Sequence, residues 1–505
     1  MSSAPLNRLN QLTLSQLLVA TMVVKLVLVM LIPVTGDEAY FYSWGLNPAL
    51  TFYDHPPLTG WLLTLVDGLL GWMGAPILVL RLPAVLITTL AGALIYRHIS
   101  RYYNAELALP VTAIYLLLPL NLIAGFIYTT DTLLLLFSLL ALLAIDRAHR
   151  DERLSLYLIA GIWIGLAINT KYLSAIPATA IGLYLLINIR KLGVKPLLLY
   201  VAAATPFILF NLYINSQTCW TNIAFNLYSR NVESNVGWSN PALFIGNLLY
   251  LVAPLLLIYY SLIKQRKWGG LNGPLGQTLL LALLLFFALS IFKSVGLHWL
   301  LSITLLVIFP ALLIDNRAIL WRGFRYTLIF SLLHVVLLLG TILYINFGLD
   351  KDVEHEADIY RTYFISTHED ELLKLASQYE YDSLAANNYS LASIISFGIQ
   401  QPVSVIGHGS SYGRQDDFIT DYRQLNGKNI LIIFSRKAVP ELERYFSDYS
   451  METPPFGGGK IHIALGKGFN YPRYLKEVLQ PTARHYYKGL PFTDAGSCPF
   501  SERYL

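Results

Sequence analysis

Charged residues are scarce in this chain. Only 13% of its 505 residues are Asp, Glu, Lys or Arg, about half the share of a typical soluble protein. Hydrophobic residues make up 55%, and the mean hydropathy is +0.52. These values exclude an ordinary soluble globular protein and predict a chain that crosses a membrane several times.

Cysteines and metal-binding motifs are also few or absent. Cys219 and Cys498 are the only cysteines, and they allow either one disulfide or two thiols. No C-x-x-C or H-E-x-x-H motif occurs, so spacing predicts no metal site. No basic stripe with interleaved aromatic residues lies in a soluble stretch, so the net charge of +5 implies no nucleic-acid partner.

Eleven apolar stretches predict transmembrane helices, because about 20 apolar residues cross the hydrocarbon core. They cover residues 17–34, 77–96, 107–126, 132–146, 155–170, 172–189, 197–214, 242–263, 275–292, 297–314 and 326–347. Alternate loops are rich in Lys and Arg, whereas the opposite loops hold only Lys171, Arg230 and Lys293. The positive-inside rule therefore predicts a cytoplasmic N-terminus and a tail after Leu349 on the outer side.

The composition becomes that of a soluble protein after residue 349. This change predicts a transmembrane domain over residues 1–349 and an extracytoplasmic domain over residues 350–505. In the tail, strand-like and helix-like runs alternate, with strands expected at 402–406, 429–434 and 460–465 and helices at 369–380, 438–446 and 472–479. The predicted fold class is mostly α, a polytopic transmembrane helical bundle of about 11 spans with a C-terminal α/β domain.

The first predicted outer loop concentrates polar residues that are typical of a functional site. Asp37 and Glu38 follow the first span directly, and Asp54 and His55 come shortly after. No Lys or Arg occurs from position 26 to position 80, so these carboxylates have no basic partner nearby in the sequence. Acidic residues at the edge of a bilayer are costly and usually serve function, so we expect the chemistry in this loop.

Further polar residues fall on the same predicted side of the membrane. If the outer loops converge, these residues line an outward-facing cavity with carboxylates and a few cations. They are Asp131 at the start of the fourth span, Lys171 between the fifth and sixth spans, Arg230 in the fourth outer loop, and Lys293 and His298 in the fifth.

The acidic residues also have a structural interpretation. Asp37 and Asp131 precede helical runs and suit N-cap positions, where a carboxylate accepts hydrogen bonds from the first backbone amides. Asp54, before His55-Pro56-Pro57, is typical of a turn. Spacing alone leaves the structural and the functional interpretation open for all three residues.

Alternatives exist for the remaining candidates as well. Lys171 is long enough to extend to the membrane interface, and Arg230 is suited to binding lipid head groups. His298 beside a tryptophan is typical of a packed interfacial residue, and Tyr40 and Tyr53 fit an interfacial belt of aromatic residues.

Several motifs together resemble a known family. The Asp37-Glu38 pair after the first span, the segment Tyr53-Asp54-His55-Pro56-Pro57 and the segment Arg81-Leu82-Pro83 resemble bacterial members of glycosyltransferase family 39. This family belongs to the GT-C superfamily, with the protein O-mannosyltransferases and the lipid A aminoarabinose transferase. Thr130-Asp131 matches its second acidic motif, and Thr170-Lys171-Tyr172 is similar to its Ser-Lys-Tyr segment. The resemblance covers about residues 15–350.

The resemblance implies the transfer of a sugar from a polyprenyl-phosphate carrier to an acceptor on the outer side of the membrane. It implies that Asp37 is the catalytic base and that Asp131 orients the sugar or the acceptor, or shares the role of base. Lys171 is then the best candidate to face the leaving phosphate, with Arg230 and Lys293 behind it. The other residues implied in substrate binding or in positioning the loop are Glu38, Asp54, His55, His298, Tyr40 and Tyr53. A divalent ion held by Asp54, Asp131 and His298 is conceivable, but no spacing demands it.

The alternative function is that of a transporter or flippase for lipid-linked sugars. Such a protein usually places ionisable residues near the midplane of the membrane and repeats its halves. Here Asp131 and Lys171 fall at the ends of predicted spans and no halves repeat, which favours the transferase. The expected location is the bacterial inner membrane. The sugar remains open, as does the acceptor, which is lipid A or lipopolysaccharide, another glycan, or a protein.

Overall fold

The computed structural model describes residues 12–123, 125–228, 237–266, 268–314, 316–344, 347, 365–407, 414–434, 440–457, 459–487, 489–490 and 499–505. The chain divides into two compact units. The bundle unit comprises residues 1–31, 81–211 and 233–339, and the loop–tail unit comprises residues 32–80, 212–232 and 340–505. The domain boundary predicted after residue 349 lies outside the described residues.

All eleven predicted spans coincide with helices. Seven of these helices are long and apolar enough to cross a membrane: Leu14–Leu31, Pro76–Tyr102, Thr130–Asp151, Lys195–Ser216, Ser239–Gln265, Pro274–Phe292 and Arg317–Tyr344. The other four spans correspond to shorter apolar helices: Ala105–Leu117, Ser155–Ile168, Tyr172–Ile187 and Leu297–Leu313. The predicted membrane-spanning, mostly helical fold is confirmed, and the chain is a multi-pass membrane protein.

Proline shortens some of the predicted spans. In the third predicted span, the first helix ends at Leu117, because Leu118 takes an extended ψ of 130° before Pro119. Proline disfavours the helical conformation of the residue before it, and a short helix, Pro119–Ile123, then follows. The helix Ser239–Val252 likewise passes through a 3₁₀ turn at Ala253–Leu255, which contains Pro254, before Leu256–Gln265 continues.

Small residues allow two helices of the bundle unit to pack closely. Gly161 and Gly165 lie one turn apart on helix Ser155–Ile168. A Cβ atom at Gly161 would collide with the backbone of Tyr200, and one at Gly165 would collide with the ring of Phe207. Both partners belong to helix Lys195–Ser216. Close approach through small residues is a common way to join helices in membranes.

Charged side chains inside the bundle unit have polar partners. The fully buried Asp146 accepts hydrogen bonds from Arg150 Nε at 2.9 Å and from Tyr103 Oη at 3.1 Å. His98 Nε2 lies 2.8 Å from the same carboxylate. In the first span, the buried Lys25 donates from Nζ to Thr88 Oγ1 at 2.8 Å. These partners offset the cost of moving charge out of water.

The loop–tail unit contains the helices of the first predicted outer loop together with the tail. The longer helices are Gly36–Leu46, Leu58–Leu70, Glu369–Ala376 and Tyr389–Ile399. The shorter helical segments are Gly71–Met73, Thr221–Leu227, Asp416–Ile419, Tyr422–Leu425, Pro440–Tyr445, Tyr471–Tyr474, Leu475–Leu479, Gln480–Tyr486 and Pro499–Tyr504.

A small sheet forms the centre of the tail. Its strands are β1 (Ser383–Ala386), β2 (Val403–Val405), β3 (Ile430–Phe434), β4 (Asp448–Glu452) and β7 (His462–Lys467), in the order β2-β1-β3-β7-β4. The first three pair in parallel, and β3, β7 and β4 pair antiparallel. Two further short strands, β5 (Pro455–Phe456) and β6 (Gly459–Lys460), pair antiparallel with each other.

The strand predictions in the tail are largely confirmed. The three expected runs coincide with β2, β3 and β7. Two strands of the five-stranded sheet are missed: β1, which has only four residues, and β4, an edge strand whose mostly exposed residues lack an apolar run. The short strands β5 and β6 are also missed. The core beside the sheet is rich in tyrosine and includes Cys219, which is disulfide-bonded. Cys498 lies outside the described residues.

The helix that carries Asp37 packs on a helix of the tail. A Cβ atom at Gly36 would collide with Ser390, so this position tolerates only glycine at the observed distance. Further along the same pair of helices, the rings of Tyr40 and Tyr389 lie 5.0 Å apart, as do those of Tyr42 and Phe397. The first outer loop and the tail therefore share one core.

A buried charged segment of the tail, Arg414–Asp417, lies within this unit. Arg414 Nε is 3.3 Å from Asp417 Oδ1, and Asp417 Oδ2 accepts a hydrogen bond from Tyr487 Oη at 2.8 Å. Asp416 is only 9% exposed. Burial raises the pKa of the Asp416 carboxyl to about 7, although the positive charge of Arg414 opposes this shift.

Asp416 therefore makes stability depend on pH. Because its pKa is raised in the folded protein, the neutral carboxyl stabilises the fold at low pH, and this contribution is lost as the pH rises through 7. Replacing Asp416 with Asn removes the titration. We expect the stability advantage of Asp416→Asn over the wild type to grow by on the order of 3 kcal/mol between pH 5 and pH 8.

Thermal unfolding of the detergent-solubilised protein at both pH values measures this effect. The control is Asp370→Asn, because Asp370 is an exposed acidic residue of the same tail. A constant difference in Tm between Asp416→Asn and the wild type from pH 5 to pH 8 would contradict the raised pKa.

Candidate active site

Asp37 lies in the first turn of helix Gly36–Leu46. The cap of this helix is Thr35, whose side chain accepts a hydrogen bond from Glu38 N at 3.3 Å. The Glu38 carboxylate completes a capping box by accepting from Thr35 N at 3.1 Å. The N-cap interpretation of Asp37 is therefore wrong. Glu38 is fully buried in this cap, whereas Asp37 is exposed.

The second half of the motif forms a bend that we call the motif loop, residues 52–55. Phe52 N donates to the carbonyl of His55 at 3.2 Å, and helix Leu58–Leu70 follows after two prolines. The turn expected at Asp54 is thus present. Both Asp54 and His55 are half-buried. The His55 ring packs 6.0 Å from Phe41 and 6.1 Å from Trp44, which attaches the bend to the helix that carries Asp37.

Three amide side chains hold the backbone of the motif loop. Asn222 Nδ2 donates to the carbonyl of Phe52 at 3.0 Å, and Asn226 Nδ2 donates to the carbonyl of Asp54 at 2.9 Å. Between them, Tyr53 N donates to Gln415 Oε1 at 2.9 Å. The sequence predicts no role for these three amides, because a partner more than 150 residues away leaves no local pattern.

The aromatic residues of the motif are packed inside the protein. Trp44 is fully buried and stacks on Phe52 at 4.4 Å. Tyr53 packs 5.6 Å from Tyr487, and Tyr40 accepts a hydrogen bond at Oη from Gln415 N at 2.9 Å. Burial, together with the nearby charges of Asp54 and Asp416, raises the pKa of Tyr40 well above its usual value. We assign these rings to the packing of the motif, since their faces already meet protein.

A buried ion pair joins Asp131 and Lys171 in the bundle unit. Lys171 Nζ lies 2.7 Å from Asp131 Oδ2, and the two residues are only 8% and 3% exposed. Asp131 Oδ1 is buried and has no hydrogen-bond partner among the described residues. A buried carboxylate with one unused oxygen is unusual, because most buried polar atoms are hydrogen-bonded.

The ion pair corrects two structural interpretations. The cap of helix Thr130–Asp151 is Thr129, whose side chain accepts from Asp131 N at 3.2 Å, so the N-cap interpretation of Asp131 is wrong. Lys171 is buried against Asp131 and does not extend to an interface. The two sequence motifs that contain these residues, forty positions apart, are thus brought together by the fold.

Buried amides fix the segment that carries Lys171. Asn169 Nδ2 donates to the carbonyl of Phe207 at 3.1 Å, and Asn211 Nδ2 donates to Asn169 Oδ1 at 3.2 Å. Tyr172 Oη in turn donates to Asn211 Oδ1 at 2.7 Å. This network joins the segment to helix Lys195–Ser216, which packs closely on Gly161 and Gly165. The position of the cation therefore depends on the contact between the two helices.

Two of the remaining candidates, Lys293 and His298, lie near Trp299. Lys293 Nζ lies 6.0 Å from the ring of Trp299, within reach of a cation–π interaction. His298 is exposed, with its ring 6.3 Å from the same tryptophan, as expected for an interfacial residue. Arg230 lies outside the described residues. Within the described ranges, no group of three or more His, Cys, Asp or Glu side chains is arranged to hold a metal ion.

Comparison with known proteins gives the family context. Residues 54–214 match the family described as dolichyl-phosphate-mannose-protein mannosyltransferase. A lipid A galacturonosyltransferase, RgtD from Rhizobium johnstonii, is 32% identical over 183 residues, which are 36% of this chain. The matching region spans 38% of the length of RgtD.

Solved structures of ArnT from Cupriavidus metallidurans share the fold. The apo structure superposes with a TM-score of 0.61 at 15% identity, covering 89% of this chain and 97% of ArnT. The structure bound to undecaprenyl phosphate gives a TM-score of 0.58 at 14% identity over the same shares of the two chains. The family match, the relative and the shared fold confirm the predicted resemblance, and this chain has the fold of ArnT.

Proposed function

We propose that this protein transfers a sugar from a polyprenyl-phosphate donor to an envelope acceptor, with inversion at the anomeric carbon. The observation that carries the proposal is the buried pair of Asp131 and Lys171, in which one carboxylate oxygen lacks a hydrogen-bond partner among the described residues. A buried pair with an unused acceptor costs stability, which favours a role in binding over a role in folding.

The relatives support the kind of substrate. RgtD acts on lipid A by its name, and ArnT binds undecaprenyl phosphate in one of its structures. A polyprenyl-phosphate sugar donor and a lipid A acceptor are therefore the first substrates to test for this chain. The positive-inside pattern of the sequence favours reaction on the outer face of the inner membrane, with the N-terminus in the cytoplasm and the tail outside.

The proposed reaction makes two chemical demands. An acceptor hydroxyl attacks C1 of the sugar and loses its proton, and the C1–O bond to phosphate breaks with the electron pair leaving on phosphate. A carboxylate must accept the proton, and fixed cations must stabilise the charge that develops on the leaving group. In our proposal, the exposed Asp37 accepts the proton and Lys171 faces the phosphate, with Lys293 as a second cation.

The ion pair adds a condition to this mechanism. Lys171 is neutralised by Asp131, so a phosphate must share the cation with that carboxylate or take its place. The unused oxygen of Asp131 is then available to accept a hydrogen bond from a sugar or acceptor hydroxyl. A hydrogen bond from substrate would satisfy the orphan oxygen.

Asp37→Asn tests the base. We expect transfer to fall by about 10²–10⁴-fold, the usual contribution of a general base, with stability changed by less than about 0.5 kcal/mol because the side chain is exposed. The measurement is mass spectrometry of envelope lipids and glycans from cells that carry each variant. Loss of one sugar mass from an acceptor, with accumulation of the lipid-linked sugar, is the expected result.

Asp370→Asn is the matched control, because Asp370 is also an exposed acidic residue in the first turn of a helix. Normal transfer by Asp37→Asn would remove Asp37 as the base. Accumulation of the carrier on the cytoplasmic side in a strain lacking the protein, without an acceptor defect of its own, would favour a flippase.

The ion pair is tested by a double-mutant cycle of Asp131→Asn and Lys171→Met. Each single change leaves the charge of the other residue buried and unpaired, and should cost about 3–5 kcal/mol of stability. The double variant should regain most of that stability, because no charge remains unpaired.

Activity distinguishes function from structure in this cycle. We expect the double variant to stay inactive in transfer from a polyprenyl-phosphate sugar to lipid A, although its Tm recovers. Recovery of activity together with Tm would show that the pair serves only the fold. Equal Tm values for all four proteins would contradict the buried ion pair itself.

A further inference from the structure

One residue of the tail makes hydrogen bonds to both halves of the proposed catalytic motif. Gln415 is only 4% exposed and makes two hydrogen bonds to the motif. Its side-chain Oε1 accepts from Tyr53 N at 2.9 Å, and its backbone N donates to Tyr40 Oη at 2.9 Å. Tyr53 directly precedes Asp54, and Tyr40 lies three positions after Asp37 in the same helix. A single residue of the tail thus joins both halves of the motif.

Gln415 is itself held firmly by the core of the tail. Its carbonyl accepts hydrogen bonds from Phe418 N at 3.0 Å and from Ile419 N at 3.2 Å. On either side of it, Arg414 and Asp417 form an ion pair, and Tyr487 Oη donates to Asp417. A group that positions another must be rigid, and these contacts supply that rigidity.

The contact with Tyr53 acts on the backbone of the motif loop. Because Gln415 binds the backbone N–H of Tyr53, it restrains the φ and ψ angles of the chain around Tyr53 directly. Asn222 and Asn226 donate to the carbonyls of the residues before and after Tyr53. In this set of three contacts, Gln415 is the side chain that accepts a hydrogen bond. Displacement by 1 Å in such a loop can reduce a rate by about 10²-fold.

We propose that Gln415 is a positioning residue for sugar transfer, through which the C-terminal tail fixes the Tyr53-Asp54-His55 segment relative to the helix of Asp37. This inference rests on the proposed function. It gives the tail a role in the chemical step, whether or not the tail also selects the acceptor or covers the cavity.

Gln415→Met is the sharpest test, because it keeps the size of the side chain and removes the acceptor oxygen. We expect kcat for transfer to fall about 10–100-fold per folded protein, with KM for the polyprenyl-phosphate sugar changed less than about twofold. Folded protein is quantified as the monodisperse fraction after gel filtration. Gln424→Met is the control, because Gln424 is exposed on the same tail.

Hydrogen–deuterium exchange gives a readout that needs no activity. The peptide that covers residues 52–57 should exchange faster in Gln415→Met than in the wild type, while the Gln424→Met variant should match the wild type. Tyr40→Phe removes the other hydrogen bond to Gln415 and should also raise exchange in the segment 414–419.

The outcomes separate this inference from the proposed function. Unchanged exchange at residues 52–57 overturns the contact whatever the activity. Faster exchange with an unchanged kcat limits Gln415 to stabilising the fold and overturns its role in transfer. No transfer by the wild type overturns the proposed function and, with it, the catalytic part of this inference, while exchange still decides whether the tail fixes the loop.

Discussion

A charge buried among apolar helices must have a partner, and the polar groups of the bundle unit follow from this constraint. Lys171 is paired with Asp131, and Asp146 is surrounded by His98, Arg150 and Tyr103. The two clusters differ in one respect. The Asp146 carboxylate accepts hydrogen bonds at both oxygens, whereas Asp131 keeps one buried oxygen with no partner among the described residues. Complete satisfaction is typical of a structural cluster, and incomplete satisfaction of a site that receives a ligand.

The loop–tail unit follows a different principle, the accurate placement of the backbone. Contact between Gly36 and Ser390 brings the helix of Asp37 against the tail, and the amides of Asn222, Asn226 and Gln415 hold the motif loop. The loop therefore owes its conformation to residues far away in the chain. Changes in the tail that disturb these contacts are therefore expected to alter the conformation of the motif loop.

Sequence reasoning succeeded where a local pattern carries the information. Each of the eleven apolar stretches coincides with a helix, and seven of these helices are long and apolar enough to cross a membrane, because the bilayer imposes a length and an apolar composition on a span. Sequence reasoning failed at helix caps, where Thr35 and Thr129 take the positions expected for Asp37 and Asp131. Each threonine lies two positions before the acidic residue. The segment Thr35-Gly36-Asp37-Glu38 has the capping-box sequence, so the cap of the first helix had a usable signal. It also missed β4, because an exposed edge strand has little apolar periodicity.

The sequence by itself determined that the chain is a multi-pass membrane protein with strands in its C-terminal region, and which motifs resemble the GT-C superfamily. These properties depend on composition and on short motifs, which need no knowledge of distant contacts. Only the tertiary structure decided that Lys171 neutralises Asp131, that Glu38 serves a helix cap, and that Gln415 of the tail holds the motif loop. The physical reason is that hydrogen bonds and ion pairs act over about 3 Å in space, between residues whose separation in sequence carries no periodic signal.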